Sequence, residues 1–365
     1  MLNIFVHLGH GQGLTNHQER FSHGQVPDPV PYDFHLAEQM GCILTYSVDH
    51  PENSATRFAR RAIRKILGFD IVHALRNLPA ISHNDVVWTM EERQSLAVTF
   101  AIRMFCRSAK RPKLIGQSIW LLDEWDHFSR ARKSLYAWLL SRVDLLTVHS
   151  NDCLLKLRSI LPNSSSQVLR FGISSRSFPH SQPRGTLALP IRILAVGRDR
   201  SRDWPTVLSA FGNHVEFDVV IITPNVRKKE VEPYRNVRVI RDATMDVLRS
   251  HYCWADYVVI AMKRNLYSGI TVALQSVRMG VPVVSSRTGG VPTYFNDDQV
   301  LYVPFNDPEA MRRAVLDCGP ELKLKRASEA QARFERDDYS SHGMVRRYID
   351  LSKDLLKSRS NVPLY

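Results

Sequence analysis

The segment that most constrains the fold is Asn265 to Phe295, NLYSGITVALQSVRMGVPVVSSRTGGVPTYF. The run before it, DYVVIAM (Asp256–Met262), is short and mostly apolar, which is typical of a buried parallel strand. Ser268 and Gly269 then open a helix that ends at Gly280, and VPVVSS predicts the next strand. A strand, a helix and a second strand in this order predict a parallel α/β sheet.

The turn before this helix also predicts a binding site. Free N–H groups at a helix start bind phosphate groups, and the Gly-rich loop Thr288–Pro292 follows one strand later. The alternative is a simple tight turn in which Gly269 permits close packing. The strand–helix–strand context favours a site for a phosphorylated ligand.

Strands and helices alternate through most of the chain. Predicted strands in the first half include LNIFVHL, CILTYSV, DIVHAL, DVVWTM and KLIGQSI, and a second series begins with IRILAVG. The Pro- and Gly-containing segment from Phe178 to Pro190 is the predicted linker. We therefore predict two Rossmann-like, doubly wound α/β domains, residues 1–183 and 184–342, which face each other across a cleft. A C-terminal helix, residues 343–365, is expected to follow, and its packing back on the first domain stays an open alternative.

The net charge of the chain is +13 over 365 residues, which predicts an anionic partner. Nucleic acid, an anionic membrane surface and a phosphorylated substrate would all fit this charge. Nucleic acid is disfavoured, because the sequence has no helix-turn-helix spacing, no RNA-binding aromatic strand and no zinc motif.

Three features of the sequence predict a cytoplasmic protein. The 5 cysteines lie far apart without a CxxC pair, which argues for a reducing compartment and against disulfides or zinc. No apolar run approaches about 18 residues, the length that spans a membrane. The N-terminus, MLNIFVHLGHG, is typical of a first strand rather than of a signal peptide.

Two basic clusters lie in the first half of the chain. Ser54–Leu67 predicts a basic amphipathic helix, and its basic residues are Arg57, Arg60, Arg61, Arg64 and Lys65. The second cluster contains Arg103, Arg107, Lys110, Arg111 and Lys113. An anionic lipid surface attracts each basic residue by about 1 kcal/mol. Two interpretations stay open: peripheral attachment to the inner face of the plasma membrane, and a solvated helix that covers the sheet.

Two segments carry a resemblance to a known family. RDRSRDW (Arg198–Trp204), and the SGITVALQS, MGVPVV and GGVP motifs of Ser268–Pro292, look like the second domain of retaining GT-B glycosyltransferases of family 4, the group 1 glycosyl transferases. The resemblance covers roughly Ile191–Asp307. It implies the GT-B fold, a UDP- or GDP-linked sugar donor bound mostly by the second domain, and an acceptor bound by the first. It also implies transfer with retention of configuration, and neither an obligatory metal nor another cofactor.

The resemblance assigns the donor site residue by residue. Arg198 stands at the family's arginine position and Arg202 takes the place of its lysine, so both would stabilise charge on the departing diphosphate. The alternative is that these arginines belong to one solvated turn. The predicted donor-binding residues are Gly197, Lys263, Tyr267, Ser268, Gly269, Ile270, Thr271 and Gln275.

The chain departs from the family at two of these positions. Family members carry two glutamates eight positions apart, one for the donor sugar and one for the ribose, whereas this sequence has Tyr267 and Gln275. Gln275 can still bond ribose hydroxyls, or else simply faces solvent. Three explanations stay open: the sugar is held differently, Lys263 or Arg264 faces an acidic sugar, or catalysis is weak.

In the first domain, Gly9, His10 and Gly11 form the predicted acceptor and diphosphate loop. The family's histidine after a middle strand has no counterpart in register here. Glu91 or Glu92 either serves an acceptor hydroxyl or belongs to the first turn of a helix. We expect a glycosyltransferase that acts on a glycan or lipid-linked acceptor in cell-surface or exopolysaccharide assembly. A non-catalytic GT-B protein and a nucleotide-sugar epimerase stay alternatives.

Overall fold

The computed structural model describes residues 1–106 and 111–360. The chain folds into two compact units. Unit 1 contains residues 1–19, 29–169 and the chain from Met344 onward, and unit 2 contains Arg20–Asp28 and Arg170–Gly343. The predicted linker, Phe178 to Pro190, has neither helix nor strand and belongs to unit 2.

Unit 1 is built on a six-stranded sheet in the order β2-β1-β3-β4-β5-β6, in which every neighbouring pair is parallel. The strands are β1 (Leu2–His7), β2 (Cys42–Tyr46), β3 (Val86–Thr89), β4 (Lys113–Gln117), β5 (Leu145–Val148) and β6 (Ser166–Val168). The helices are α1 (Leu14–Ser22), α2 (Leu36–Gln39), α3 (Ser54–Leu67), α4 (Ile71–Arg76), α5 (Leu78–Ser82), α6 (Glu92–Phe105), α7 (Leu121–Glu124), α8 (Arg130–Leu140) and α9 (Asn151–Ile160).

One predicted strand of unit 1 is wrong, because DIVHAL forms α4. Asp70 caps this helix, since its carboxylate accepts a hydrogen bond from the His73 N–H at 3.1 Å. A short apolar run does not distinguish a strand from a buried helix, and the capping aspartate decides in favour of the helix here.

Unit 2 has a second parallel six-stranded sheet, in the order β12-β11-β10-β7-β8-β9. Its strands are β7 (Ile191–Val196), β8 (Phe217–Ile222), β9 (Val237–Ile240), β10 (Tyr257–Ile260), β11 (Val283–Ser286) and β12 (Leu301–Val303). Its helices are α10 (Trp204–Phe211), α11 (Lys228–Val231), α12 (Met245–Trp254), α13 (Ile270–Arg278), α14 (Pro308–Leu316) and α15 (Pro320–Arg336). Two apolar cores enclose the sheet, one with α12 and α13 and the other with α10 and α14. The two doubly wound α/β sheets confirm the predicted fold class.

The last helix, α16 (Ser341–Ser360), belongs to unit 1 from Met344 onward. Its Tyr348 ring packs against Trp88 at 5.0 Å between ring centroids, and Ser352 accepts a hydrogen bond from the Trp88 indole at 2.9 Å. Aromatic packing and a satisfied indole hold this helix on the β3 strand.

Candidate functional site

The first turn of unit 2 joins β7 to α10 and holds the side chain of Arg202. This side chain lies directly over Gly197, where a Cβ atom would collide with its Nε, Cδ and Cγ atoms. The guanidinium Nε donates to Asp199 at 3.0 Å. A glycine at position 197 is therefore what lets the arginine lie flat across the end of the strand.

Arg202 is a buried cation that is only partly compensated. Its side chain is 5% exposed, and within the described residues its Nη1 atom has no hydrogen-bond partner. Burial raises the pKa of the Tyr252 phenol, and the neighbouring Arg202 charge opposes that rise. A buried charged group with an unused donor is costly unless a ligand supplies the acceptor.

Gln275 belongs to the same buried cluster and does not face solvent as one interpretation of the sequence held. The Tyr252 hydroxyl donates to Gln275 Oε1 at 2.9 Å, and only 7% of Gln275 is exposed. Since the phenol uses the carbonyl oxygen, the amide nitrogen of Gln275 is the group left to meet a ligand acceptor.

The turn before α13 is organised by Asn265. Its side-chain oxygen accepts hydrogen bonds from the N–H groups of Tyr267 (3.2 Å) and Ser268 (2.7 Å). Gly269 then adopts a left-handed conformation with φ of 94° as the residue before the helix. The Ser268 amide, which was predicted to bind phosphate, is thus already used inside the turn, as is the Tyr267 amide.

The amides that follow are available. Within the described chain, the N–H groups of Gly269, Ile270 and Thr271 donate to no protein acceptor. They lie at the amino end of a nine-residue helix, where the backbone dipoles favour an anion. Three backbone amides therefore remain as candidate donors for the predicted diphosphate site.

Backbone pairing brings the two turns together. Arg202 forms an antiparallel bridge with Met262, and the Lys263 N–H donates to the Ser201 carbonyl at 2.8 Å. The Met262 side chain in turn lies against Gly269, where a Cβ would stand 3.0 Å from the Met262 sulfur. A buried guanidinium and three free amides consequently share one end of the sheet of unit 2.

The remaining predicted donor residues differ in exposure. Arg198, Lys263 and Thr271 are exposed, whereas Tyr267 is buried. Sequence reasoning missed Tyr252 and Asn265 as parts of this cluster. The pattern N-x-x-S before a glycine was a possible signal for the Asn265 turn, but a tyrosine on α12 has no local signature.

In unit 1, the loop after β1 is tied to acidic side chains. The Gly11 N–H donates to Asp49 at 3.0 Å, and the His10 ring lies 3.1 Å from the same carboxylate. Gly11 has a φ of 83°, a conformation that side chains disfavour, so the glycine is required by the turn itself. Gly9 accepts the Gln12 N–H at 2.9 Å and closes the loop.

The two neighbouring glutamates have different roles. Glu92 accepts hydrogen bonds from the N–H groups of Ile119 (2.9 Å) and Trp120 (3.2 Å), so it fixes the loop after β4. Glu91 instead lines a cavity beside the Gly9–Gly11 loop. Burial raises the pKa of the Glu91 carboxyl, and the Glu92 charge raises it further.

Two general features of the described residues concern metals and membranes. No group of three or more His, Cys, Asp or Glu side chains is arranged to hold a metal ion within residues 1–106 and 111–360. Over the same ranges, every helix is too short or too polar to cross a lipid bilayer.

Comparisons with known proteins agree with this arrangement. Residues 191–318 match the family model "Glycosyl transferases group 1". No curated protein sequence matches the chain.

Solved structures with similar folds extend over almost the whole chain. Sucrose-phosphate synthase from Thermosynechococcus elongatus has a TM-score of 0.74 at 14% identity, covering 98% of this chain and 100% of its own. HepE from Anabaena, in complex with UDP and glucose, has a TM-score of 0.67 at 12% identity, covering 97% of this chain and 100% of its own. A glycosyltransferase from Rickettsia africae has a TM-score of 0.66 at 15% identity, covering 98% and 99% of the two chains. The chain therefore has the GT-B fold, and its residues 191–318 match the model of the group 1 glycosyl transferases.

Proposed function

We propose that the chain is a retaining glycosyltransferase that moves a sugar from a UDP- or GDP-linked donor to a glycan or lipid-linked acceptor. One observation carries the proposal: the buried Arg202 guanidinium keeps a free Nη1 donor beside the free amides that open α13. Positive groups aimed at one point suit the β-phosphate of a departing nucleoside diphosphate. Retention follows from the family resemblance given above.

The same groups supply the charge that a metal ion would otherwise provide, so we propose that the transfer needs no metal. Arg202 grips a phosphate oxygen from a fixed position, and exposed Arg198 swings onto the diphosphate when the donor binds. Activity that persists in EDTA is expected. Complete loss with EDTA and rescue by Mg²⁺ would contradict this part of the proposal.

The donor sugar is held by a site without the family's two carboxylates. Gln275 offers an amide donor to the ribose, and exposed Lys263 offers a cation to the donor sugar. This pair favours a sugar or ribose contact through acceptor oxygens of the ligand. UDP-glucose is the first donor to test, because HepE, a protein of similar fold, was solved in complex with it.

The test is nucleotide release from a panel of UDP-, GDP- and ADP-sugars, measured with and without lipid-linked acceptors. Acceptor-dependent release supports transfer, sugar interconversion without acceptor supports an epimerase, and binding without turnover supports a non-catalytic protein. Arg202→Ala should lower the rate about 100-fold, because one charged donor at a leaving group contributes about 3 kcal/mol. Arg235→Ala, which removes an exposed arginine of the same unit, should leave it unchanged.

A membrane surface is the second partner that we propose, and α3 supports it. Arg60, the buried residue of this helix, pairs with Glu52 (2.8 Å) and Asp70 (2.6 Å). Phe58 and Ile66 are 75% and 73% exposed, although they are large apolar residues. At 100° per residue, both point more than 100° away from Arg60. The apolar side of α3 therefore does not cover the sheet.

This arrangement suits an interfacial helix better than a solvated one. Arg57, Arg61 and Lys65 flank the exposed apolar residues and would meet anionic headgroups while Phe58 and Ile66 enter the lipid. The second basic cluster offers less positive charge to a membrane surface. Arg111 and Lys113 pair with Asp144, Arg103 bonds the Arg142 carbonyl, and Arg107 and Lys110 lie outside the described residues.

We place the enzyme on the cytoplasmic face of the plasma membrane, in cell-surface or exopolysaccharide assembly. Co-sedimentation with vesicles that contain phosphatidylglycerol tests the attachment. Phe58→Ser with Ile66→Ser should abolish binding, whereas Leu155→Ser, which replaces another exposed apolar residue of unit 1, should not. Vesicle binding that does not change with salt concentration or anionic lipid content would refute the proposed attachment.

A further inference from the structure

A polar cavity lies entirely within unit 1. Its volume is about 150 Å³, and it lies beside the loop Gly9–Gly11, where β1 and β3 end. Ligands of parallel α/β sheets bind at the carboxyl ends of strands, so its position is that of a binding site. Its walls combine His10, His73 and Glu91 with two arginines, Arg64 and Arg93.

Two arginines of the cavity wall lie outside any close ion pair of the described residues. Within the described residues, neither the Arg64 nor the Arg93 side chain makes an ion pair or a hydrogen bond, and both are exposed. Both guanidinium groups act on the Glu91 carboxyl and oppose the rise of its pKa. They therefore flank one point of the cavity wall.

The acidic groups nearby are already compensated. Arg60 pairs with both Glu52 and Asp70, Arg76 pairs with Glu52, and His10 lies against Asp49. The cavity wall consequently has an excess of positive charge at Arg64 and Arg93. An anion entering there would meet two planar donor forks, the geometry that suits phosphate oxygens.

The inner wall combines neutral histidine rings with the Glu91 carboxyl group. Burial lowers the pKa of His7 to about 3 and lowers the pKa of His73, so both rings are neutral near pH 7. The His73 Nε2 atom is 3.1 Å from the Leu8 carbonyl, which fixes the ring. Burial raises the pKa of the Glu91 carboxyl. Neutral imidazoles and a carboxyl group offer both donors and acceptors, as hydroxyl groups require.

We propose that this cavity is a subsite for a hydroxylated ring that bears a phosphate ester, with the ring against His73 and Glu91 and the phosphate between Arg64 and Arg93. In the proposed transfer this ligand is the acceptor, and to that extent the inference rests on the proposed function. Its binding needs neither donor nor turnover. Two sources share this chemistry: a soluble sugar phosphate and the inositol phosphate headgroup of a lipid.

The experiment is calorimetric titration of the full chain with glucose 6-phosphate, and with glucose as the neutral match. Arg64→Gln and Arg93→Gln should each weaken glucose 6-phosphate binding about tenfold, the effect of losing one charge-assisted hydrogen bond. Arg130→Gln removes the same charge from an exposed position of unit 1, outside both the cavity and α3, and should bind as the wild type does. A second arm measures the binding of the same variants to vesicles of phosphatidylcholine with phosphatidylinositol.

Arginine-dependent binding in either arm supports the proposal and identifies the source, soluble or lipid-borne. Equal binding of glucose and glucose 6-phosphate, equal losses in Arg130→Gln, or no binding in both arms overturns it. Titration with UDP-glucose on the same protein and on Arg202→Ala separates the two claims. No UDP-glucose binding by the wild type, or equal binding by Arg202→Ala, together with intact sugar-phosphate binding would refute only the proposed function.

Discussion

The Tyr252–Gln275 hydrogen bond offers a direct test of how the donor site replaces the family's second glutamate. Tyr252 is fully buried, and its hydroxyl donates to Gln275 Oε1 at 2.9 Å. Tyr252→Phe leaves this carbonyl oxygen without its partner, which should cost about 1–3 kcal/mol in unfolding free energy. Gln275→Met, a change of similar volume, strands the phenol instead and should cost a similar amount.

The double variant separates the hydrogen bond from packing. Removing both partners leaves no unsatisfied group. The unfolding free energy lost by the double variant, Tyr252→Phe with Gln275→Met, should therefore be smaller than the sum of the two single losses by about 1–2 kcal/mol. Because the chain has two compact units, a single unfolding curve does not report the stability of unit 2 alone. Hydrogen exchange of peptides from α12 and α13 measures the stability of unit 2 directly.

The same variants predict a change in donor binding. Without the phenol, the Gln275 amide is free to rotate, and its nitrogen no longer points reliably at a ligand acceptor. We expect UDP-glucose binding by Tyr252→Phe to weaken about fivefold, equivalent to about 1 kcal/mol. Additive stability losses, or donor binding unchanged in Tyr252→Phe, would refute the positioning role of Tyr252.

Three further predictions concern separate parts of the molecule. Gly197→Ala should weaken UDP-glucose binding in titrations as much as Arg202→Ala does, with no further loss in the double variant, because its Cβ would occupy the space of the arginine. Burial lowers the pKa of His149 to about 4, so the unfolded chain binds an extra proton at this residue as pH falls below about 6.5. His149 should therefore contribute about 1.4 kcal/mol per pH unit to the stability that unit 1 loses down to about pH 4, and in hydrogen exchange His149→Gln should reduce the slope by that amount. Arg60→Met should leave Asp70 without an ion pair and Glu52 with Arg76 as its arginine partner. Hydrogen exchange should show the opening free energy of α3 falling by about 3 kcal/mol, whereas Arg57→Met should leave it unchanged.

The sequence was most informative where local signals agree. The helix predicted for Ser54–Leu67 matches α3, because the capping residue Asn53 precedes a helical period there. DIVHAL failed because its apolar run fits both element types, and the Asp70 cap that decides it also belongs to an ion pair with Arg60.

The candidate site was only partly predictable for a related reason. Arg202 and the turn at Gly269 lie within recognisable segments, so their positions follow from sequence. Tyr252 approaches Gln275 through the packing of α12 against α13, and no local pattern encodes that contact. The orientation of α3 was also hidden, since its period predicts an amphipathic helix but not which side faces the protein.

A comparison of three paired arginines shows why the donor site is the strongest functional candidate. Arg60 and Arg192 lie in ion pairs in which carboxylates occupy several guanidinium donors, with Asp70 and Glu52 for one and Asp256 for the other. Arg202 is buried, yet within the described chain its Nε bonds Asp199 while its Nη1 has no partner. An incompletely paired buried cation lowers the free energy of unfolding. Gly197 nevertheless leaves room for this arginine, and the cost is compensated when a bound anion accepts the unused hydrogen bond. A diphosphate against the free amides of α13 is the anion that this geometry fits.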